Sequence, residues 1–251
     1  MAELFPESML IAFFAVLGVC MGSFGNVIIF RVPEHRTIGG RSACMTCKRV
    51  LGFHELVPVL SFLFQRGRCR GCGQGLSIQY PLVEIATAFV FVYAIMQFPL
   101  EPVRALFFAF ALWLLLLIAV IDGRTSLIPD VLSIPLLVIA LLLQFMHGSF
   151  AFSGVLLGAG FFAVQWIVSR GVWVGSGDIV LGAGIGALLV DWQNVAIFLF
   201  FSYVIGAAIA CLLILLKYKT MKDALPFGPL LVLGAFLAIL FGEAIRGFMM
   251  F

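Results

Sequence analysis

Eight apolar runs, near residues 9–30, 82–99, 103–121, 131–147, 152–169, 178–192, 194–216 and 229–246, fill most of the chain, with only short polar breaks between them. A run of about 18 apolar residues crosses a bilayer as a helix, because a helix satisfies its own backbone hydrogen bonds where no water can. No soluble domain of 251 residues buries this much apolar surface: 63% of the residues are hydrophobic, 11% are charged, and the mean hydropathy is +1.19. The expected fold is therefore an all-α polytopic membrane protein with about eight transmembrane helices. The residues before the first run include two glutamates and no Lys or Arg. A cleaved secretory signal needs a basic start, so this run is expected to be a retained membrane helix.

One polar interruption is long. Residues 31–81 carry eight of the 15 basic residues and four of the six cysteines. They read as a small extramembrane domain between helices 1 and 2, dividing the chain into 1–30, 31–81 and 82–251. Orientation follows from counting. With the N-terminus outside, the inner segments are 31–81, 122–130, 170–177 and 217–228, and they hold 13 of the 15 basic residues, Lys222 among them; only Arg104 and Arg246 fall outside. The positive-inside rule then puts the inserted domain in the cytoplasm and both termini outside.

Cys44, Cys47, Cys69 and Cys72 form C-x2-C-x21-C-x2-C. Each two-residue gap lets a pair of thiolates bite a tetrahedral zinc ion from one turn. Two disulfides and free thiols are the competing readings, but a cytoplasmic location disfavours disulfides. Four thiolates would close the coordination shell, which suits a structural metal in a domain too small for much of a core. Cys20 and Cys211 lie in apolar runs and are expected to be buried packing residues. His35, His54 and His147 stand apart from one another and are expected at the surface or in packing. No feature calls for nucleic acid.

Two carboxylates sit at the ends of apolar runs: Asp122 closes the third (LLLLIAVIDG) and Asp178 opens the sixth (GSGDIVLG). Ionisable groups in membrane spans are costly and are read as functional by default. These runs cross in opposite directions, so both acids reach the cytoplasmic side at similar depth. Held close, two carboxyls cannot both ionise and share one proton. One can then activate water while the other protonates a carbonyl oxygen. Gly175 and Gly177 leave room beside Asp178 for a substrate backbone, or permit left-handed dihedrals. Gly182 and Gly186, four apart, form a small-residue stripe by which the sixth span could press against the third. An ion pathway or transporter is the alternative, since it too uses intramembrane acids, but no repeat or mid-membrane break supports it.

In order along the chain, Gly22-Ser23-Phe24-Gly25-Asn26-Val27 with Arg31-Val32-Pro33, the two cysteine pairs, Tyr80-Pro81-Leu82-Val83-Glu84, Asp122 followed by Ile128-Pro129-Asp130, Gly175-Ser176-Gly177-Asp178 and Pro226-Phe227-Gly228-Pro229 resemble the type IV prepilin peptidases. These are membrane aspartic proteases of the Gly-x-Gly-Asp kind. One departure is Phe53-His54-Glu55-Leu56-Val57-Pro58, where the family has Glu-Asn-Ile-Pro and this chain has Leu56 in place of asparagine. The resemblance implies cleavage of the short basic leader of prepilins or type II secretion pseudopilins at the cytoplasmic face of a bacterial inner membrane, with Asp122 and Asp178 catalytic. It implies Pro129 and Asp130 as supporting residues, Asp130 closing the first motif's loop. It also implies methylation of the new N-terminus by S-adenosylmethionine, linked to the cysteine-bearing domain and to Gly67-Arg68. The substrate's hydrophobic helix would lie in the lipid. Its basic leader needs an acidic landing site, for which Glu34, Glu55, Glu84, Asp130 and Asp223 are candidates.

Overall fold

The computed structural model describes residues 6–148, 150–220, 223 and 225–249. Lys222, counted above among the inner basic residues, lies outside them. The described residues form nine α-helices: α1 (Glu7–Arg31), α2 (Leu60–Phe64), α3 (Gln79–Gln97), α4 (Pro102–Thr125), α5 (Asp130–His147), α6 (Phe152–Ser169), α7 (Ser176–Leu189), α8 (Trp192–Leu215) and α9 (Gly228–Met249). A 3-10 turn at Phe53–Glu55 and two isolated antiparallel bridges complete the regular structure. Seven helices are long and apolar enough to cross a membrane, and the chain is a multi-pass membrane protein. The expected eighth, α7, has 14 residues, about 21 Å of helix against the roughly 30 Å of a bilayer core. It stops where Val190 takes a left-handed φ of 65° and Asp191 caps α8.

The chain divides into two compact units, one running to Trp113 and the other starting at Leu114, within α4. The segment with the cysteine pairs thus groups with α1 and α3. In this first unit α1 and α3 pack antiparallel. Gly18 lies against Ala88 and Gly22 against Glu84, so close that an added Cβ would stand 2.7 and 2.5 Å from those Cα atoms. Phe91 stacks edge-on with Phe110 and packs near Phe14, extending the apolar contact along the helices.

In the second unit α7 is the central helix, and nine of its residues are buried. From sequence the Gly182/Gly186 stripe is expected to press against the third span, α4, but its nearest neighbours lie on another helix. It meets α6, where Gly154 and Gly158 present a matching stripe: a Cβ at Gly158 would run into the Gly182 carbonyl, and one at Gly182 would stand 2.7 Å from the Gly158 carbonyl. Two small-residue faces let the backbones touch, and in lipid such close contact is a main source of helix association. The other side of α7 packs on α5. Buried Gln144 donates to the Ala187 carbonyl at 2.7 Å and accepts from the Ala151 N–H at 3.2 Å, joining α5, α7 and the start of α6. Helices α8 and α9 pair antiparallel, with Gly234 against Ser202 and Gly242 against Asn194.

Cys20 and Cys211 are exposed rather than buried. In a membrane protein the outward face is as apolar as the core, so an apolar run does not distinguish lipid-facing from interior positions. His35 and His54 are exposed, as expected.

Candidate active site

Both aspartates belong to the second unit. Asp122 lies in the last turn of α4, which ends as the Ser126 N–H bonds back to the Asp122 carbonyl at 2.7 Å. The chain then turns through 126–129, and Pro129 caps α5. Asp178 lies in the first turn of α7, where its Oδ2 accepts the N–H of the capping residue Gly175 at 2.8 Å. An acid at this position offsets the unsatisfied amides of a helix start.

The two carboxyls are buried, at 4% and 7% exposure, and lie close enough for the charge of Asp122 to act on Asp178. Asp122 Oδ2 accepts the Gly228 N–H at 2.7 Å, so the start of α9 clamps it. Asp178 Oδ1 is buried with no protein donor among the described residues. Each acid is thus held through one oxygen by a backbone amide, and Asp178 keeps a second oxygen with acceptor capacity unused by the described residues.

The expectations for the supporting residues fare unevenly. Neither Gly175 nor Gly177 has a positive φ, so left-handed freedom is not their role. Gly175 is an extended N-cap. Gly177 is required by close approach, since a Cβ there would lie 3.0 Å from both Cβ and the carbonyl oxygen of Ile128. That contact presses the start of α7 onto the 126–129 loop, bringing the two aspartate-bearing segments together. Asp130 is exposed in the first turn of α5, where its charge suits the helix dipole. Tyr203 was missed. Its hydroxyl donates to Gln165 Oε1 at 2.9 Å, its ring packs edge-on against Phe227 and Phe161, and the charge of Asp178 acts on it. The only hint in the sequence is a pair of hydroxyls, Ser202 and Tyr203, within a long apolar run.

The cysteines lie in the first unit. Two similar turns carry them: Cys44 N–H bonds to Arg49 O and Lys48 N–H to Cys44 O, while Cys69 N–H bonds to Gln74 O and Gly73 N–H to Cys69 O. Lys48 and Gly73, both four residues after the first cysteine of their pair, take left-handed φ values of 57° and 72°. All four sulfurs lie within 4.8 Å of one another, Cys44 and Cys72 at 3.9 Å. Zn–S bonds of about 2.3 Å in a tetrahedron set sulfurs about 3.8 Å apart, so the four cysteines could hold a metal ion. Backbone amides of Cys72 and Gly71 hold the Cys69 thiol down to about 6, and those of Cys47 and Thr46 lower Cys44. Cys72 is pushed up to about 11: the Gln74 amide favours its thiolate, but burial and the other thiols outweigh that pull.

Gly67, with φ +65°, sits against the Phe62 ring, and Arg68 bridges to Gly75. Four of the five landing-site candidates already have partners. Glu34 pairs with Arg36 at 2.8 Å and Glu55 with Arg49 at 2.5 Å, Asp223 accepts from the Thr220 N–H at 2.6 Å, and buried Glu84 accepts from the Val59 N–H at 2.6 Å.

Residues 16–98 match the bacterial peptidase A24 N-terminal domain, and residues 108–211 match the type IV leader peptidase family. A prepilin leader peptidase/N-methyltransferase of Bacillus subtilis (strain 168) is 37% identical over 240 residues, covering 93% of this chain and 95% of its own. Proteins with the same description from Aeromonas hydrophila (33% over 264 residues; 92% of this chain and 90% of its own) and Pseudomonas putida (30% over 261 residues; 92% and 90%) are also similar. No solved structure matches.

Proposed function

The chain belongs to the type IV leader peptidase family, and on that premise we propose that it cuts the leader from prepilins with Asp122 and Asp178 and methylates the amine so exposed. The relatives' description favours this over an ion pathway. The observation that carries the assignment of the two residues is their burial at the ends of α4 and α7, whose segments meet where Gly177 presses on Ile128, with each acid held by one backbone amide.

Two such acids share one proton. The ionised member takes a proton from water as that water attacks the scissile carbonyl. The protonated member donates to the carbonyl oxygen, and the tetrahedral intermediate collapses as the leaving amine is protonated. The short α7 and the loop at 126–129 let water and an extended peptide reach a depth that unbroken helices would close off.

The substrate carries a hydrophobic helix in the lipid and a basic leader in the cytoplasm of a bacterial inner membrane, with both termini of the enzyme outside. The distribution of basic residues supports that orientation. Asp130 is the exposed acid of the second unit that lies two residues from Ile128, the neighbour of Gly177, and it receives the basic leader. The four cysteines bind structural zinc, supported by sulfur spacing that fits a tetrahedral ion. Gly67 and Arg68 belong to the methyl-transferring part, and S-adenosylmethionine is the methyl donor. Co-expression with a prepilin bearing a basic leader, followed by mass measurement of its N-terminus, tests the reading. A shortened, methylated product supports it, and an unprocessed chain beside active enzyme controls contradicts it.

A further inference from the structure

The first unit contains a cavity of about 780 Å3 lined by α1, the cysteine turns, α2 and the start of α3. Its lining residues run from Ser23 to Glu84 and so fall entirely within the N-terminal family match at 16–98. The peptidase match, 108–211, contains both aspartates. The relatives' description names two activities, and the second needs a site of its own.

Two buried polar groups in the cavity lining are unbalanced. Asn26, 3% exposed, donates through Nδ2 to the carbonyls of Gly22 (3.3 Å) and Tyr80 (3.1 Å). Both neighbours are acceptors, which sets the amide's orientation and leaves Oδ1 buried with no protein donor among the described residues. Glu84, 7% exposed, is held by the Val59 N–H at 2.6 Å, yet no ion pair reaches it among the described residues. A buried carboxylate without a cation is costly, as is a buried acceptor without a donor. Arg31 does not relieve them, because its guanidinium is spent on the carbonyls of Thr37, Ile38, Gly39 and Arg41. The lining also holds Arg36, paired with Glu34, and the basic side chains of Arg41 and Lys48. The cavity therefore suits a zwitterionic ligand that brings positive charge and N–H groups to Glu84 and Asn26 and a carboxylate to the basic side chains. Its volume lies within the range of small-molecule sites, and Phe62 and the stacked Phe30–Tyr80 pair, 5.4 Å apart, give it flat apolar walls.

We propose that this cavity is the methyl-transfer site, holding S-adenosylmethionine with its positive charge facing Glu84 and an N–H donor at Asn26 Oδ1. This rests on the methyltransferase part of the proposed function. When bound, the donor supplies an electrophilic methyl carbon on a sulfonium. The substrate amine attacks that carbon with its lone pair, the C–S bond breaks with its electrons passing to sulfur, and the proton shed by the amine goes to Glu84. The products are the methylated amine and the neutral thioether S-adenosylhomocysteine. The landing role considered for Glu84 gives way to this one.

The test is equilibrium binding of S-adenosylmethionine and S-adenosylhomocysteine to the purified full-length protein, comparing wild type with Glu84→Gln and with Ser61→Trp, which fills the cavity from α2. Glu84→Gln is expected to weaken the sulfonium compound roughly tenfold relative to the thioether, and Ser61→Trp to abolish binding of both. Leader cleavage by both variants should continue, showing that they are folded. If one variant does not fold, the other decides. Wild-type affinities in the folded variants, beside a wild type that methylates, overturn the cavity assignment and leave the methyltransferase reading intact. A wild type that neither binds the nucleosides nor methylates overturns both.

Discussion

The Gly228 N–H donates to Asp122 Oδ2 at 2.7 Å, across 106 residues of sequence. The first residue of α9 thereby sets the position of an acid on α4. No side chain fits there: a Cβ on Gly228 would lie 2.8 Å from both Cβ and Oδ2 of Asp122. Gly228→Ala is expected to push the carboxyl aside and reduce kcat/KM for leader cleavage by on the order of a hundredfold, since displacing a catalytic group by about 1 Å costs that much. Steady-state cleavage of a prepilin in detergent measures it. An alanine variant at wild-type rate would show that the clamp is dispensable.

Asp130 is expected to act on binding rather than on chemistry. Asp130→Asn should raise KM several-fold and leave kcat unchanged, the signature of lost ground-state attraction. The effect should shrink at high salt, because an exposed charge is screened. A fall in kcat with constant KM would instead assign Asp130 to the reacting centre.

The cysteine cluster is expected to contain one zinc ion per chain, measured by elemental analysis, and Cys44→Ser or Cys69→Ser should release it. Binding is proton-linked. Cys72, pushed up to about 11, is protonated near neutral pH and must give up its proton to bind zinc. Apparent affinity should therefore rise with pH and fall as pH drops, by about tenfold per unit for one released proton. Cys69, held to about 6, is mostly thiolate at pH 7 and adds to the loss only as the pH nears that value. Chelator competition at several pH values reads the slope, and a flat profile would argue against four-thiolate ligation.

Helix packing gives a separate test. Gly182 faces the Gly158 carbonyl and the Phe162 ring. Gly182→Leu should separate α6 from α7 and destabilise the protein by about 1–3 kcal/mol, as overpacking does. Thermal unfolding in detergent measures the shift, and an unchanged transition would mean that the interface tolerates added volume.

Much of this architecture is legible in the sequence because breaks punctuate the apolar runs. Pro129, Gly148 and Asp191 stand at or beside helix ends, and the expected runs match the observed helices within a few residues. The two aspartates stood out because charge is rare in such runs. What was not legible depends on which helix meets which. The Gly182/Gly186 stripe signalled close packing but not its partner on α6. Cys20 and Cys211 were misjudged because lipid and core are equally apolar. Asn26 and Glu84 share a cavity only because α1 and α3 pair across more than fifty residues, and the contacts of Tyr203 with Gln165 and Phe227 likewise depend on helix pairing that spacing does not encode.

The central claim, that Asp122 and Asp178 together perform leader cleavage, is tested most directly by measuring the N-terminal mass of a prepilin incubated with Asp122→Asn and Asp178→Asn enzymes. Each variant should bind zinc as the wild type does and leave the leader intact, while still methylating a substrate supplied already cleaved. If either variant processes the leader at a rate near wild type, the shared-proton pair is wrong.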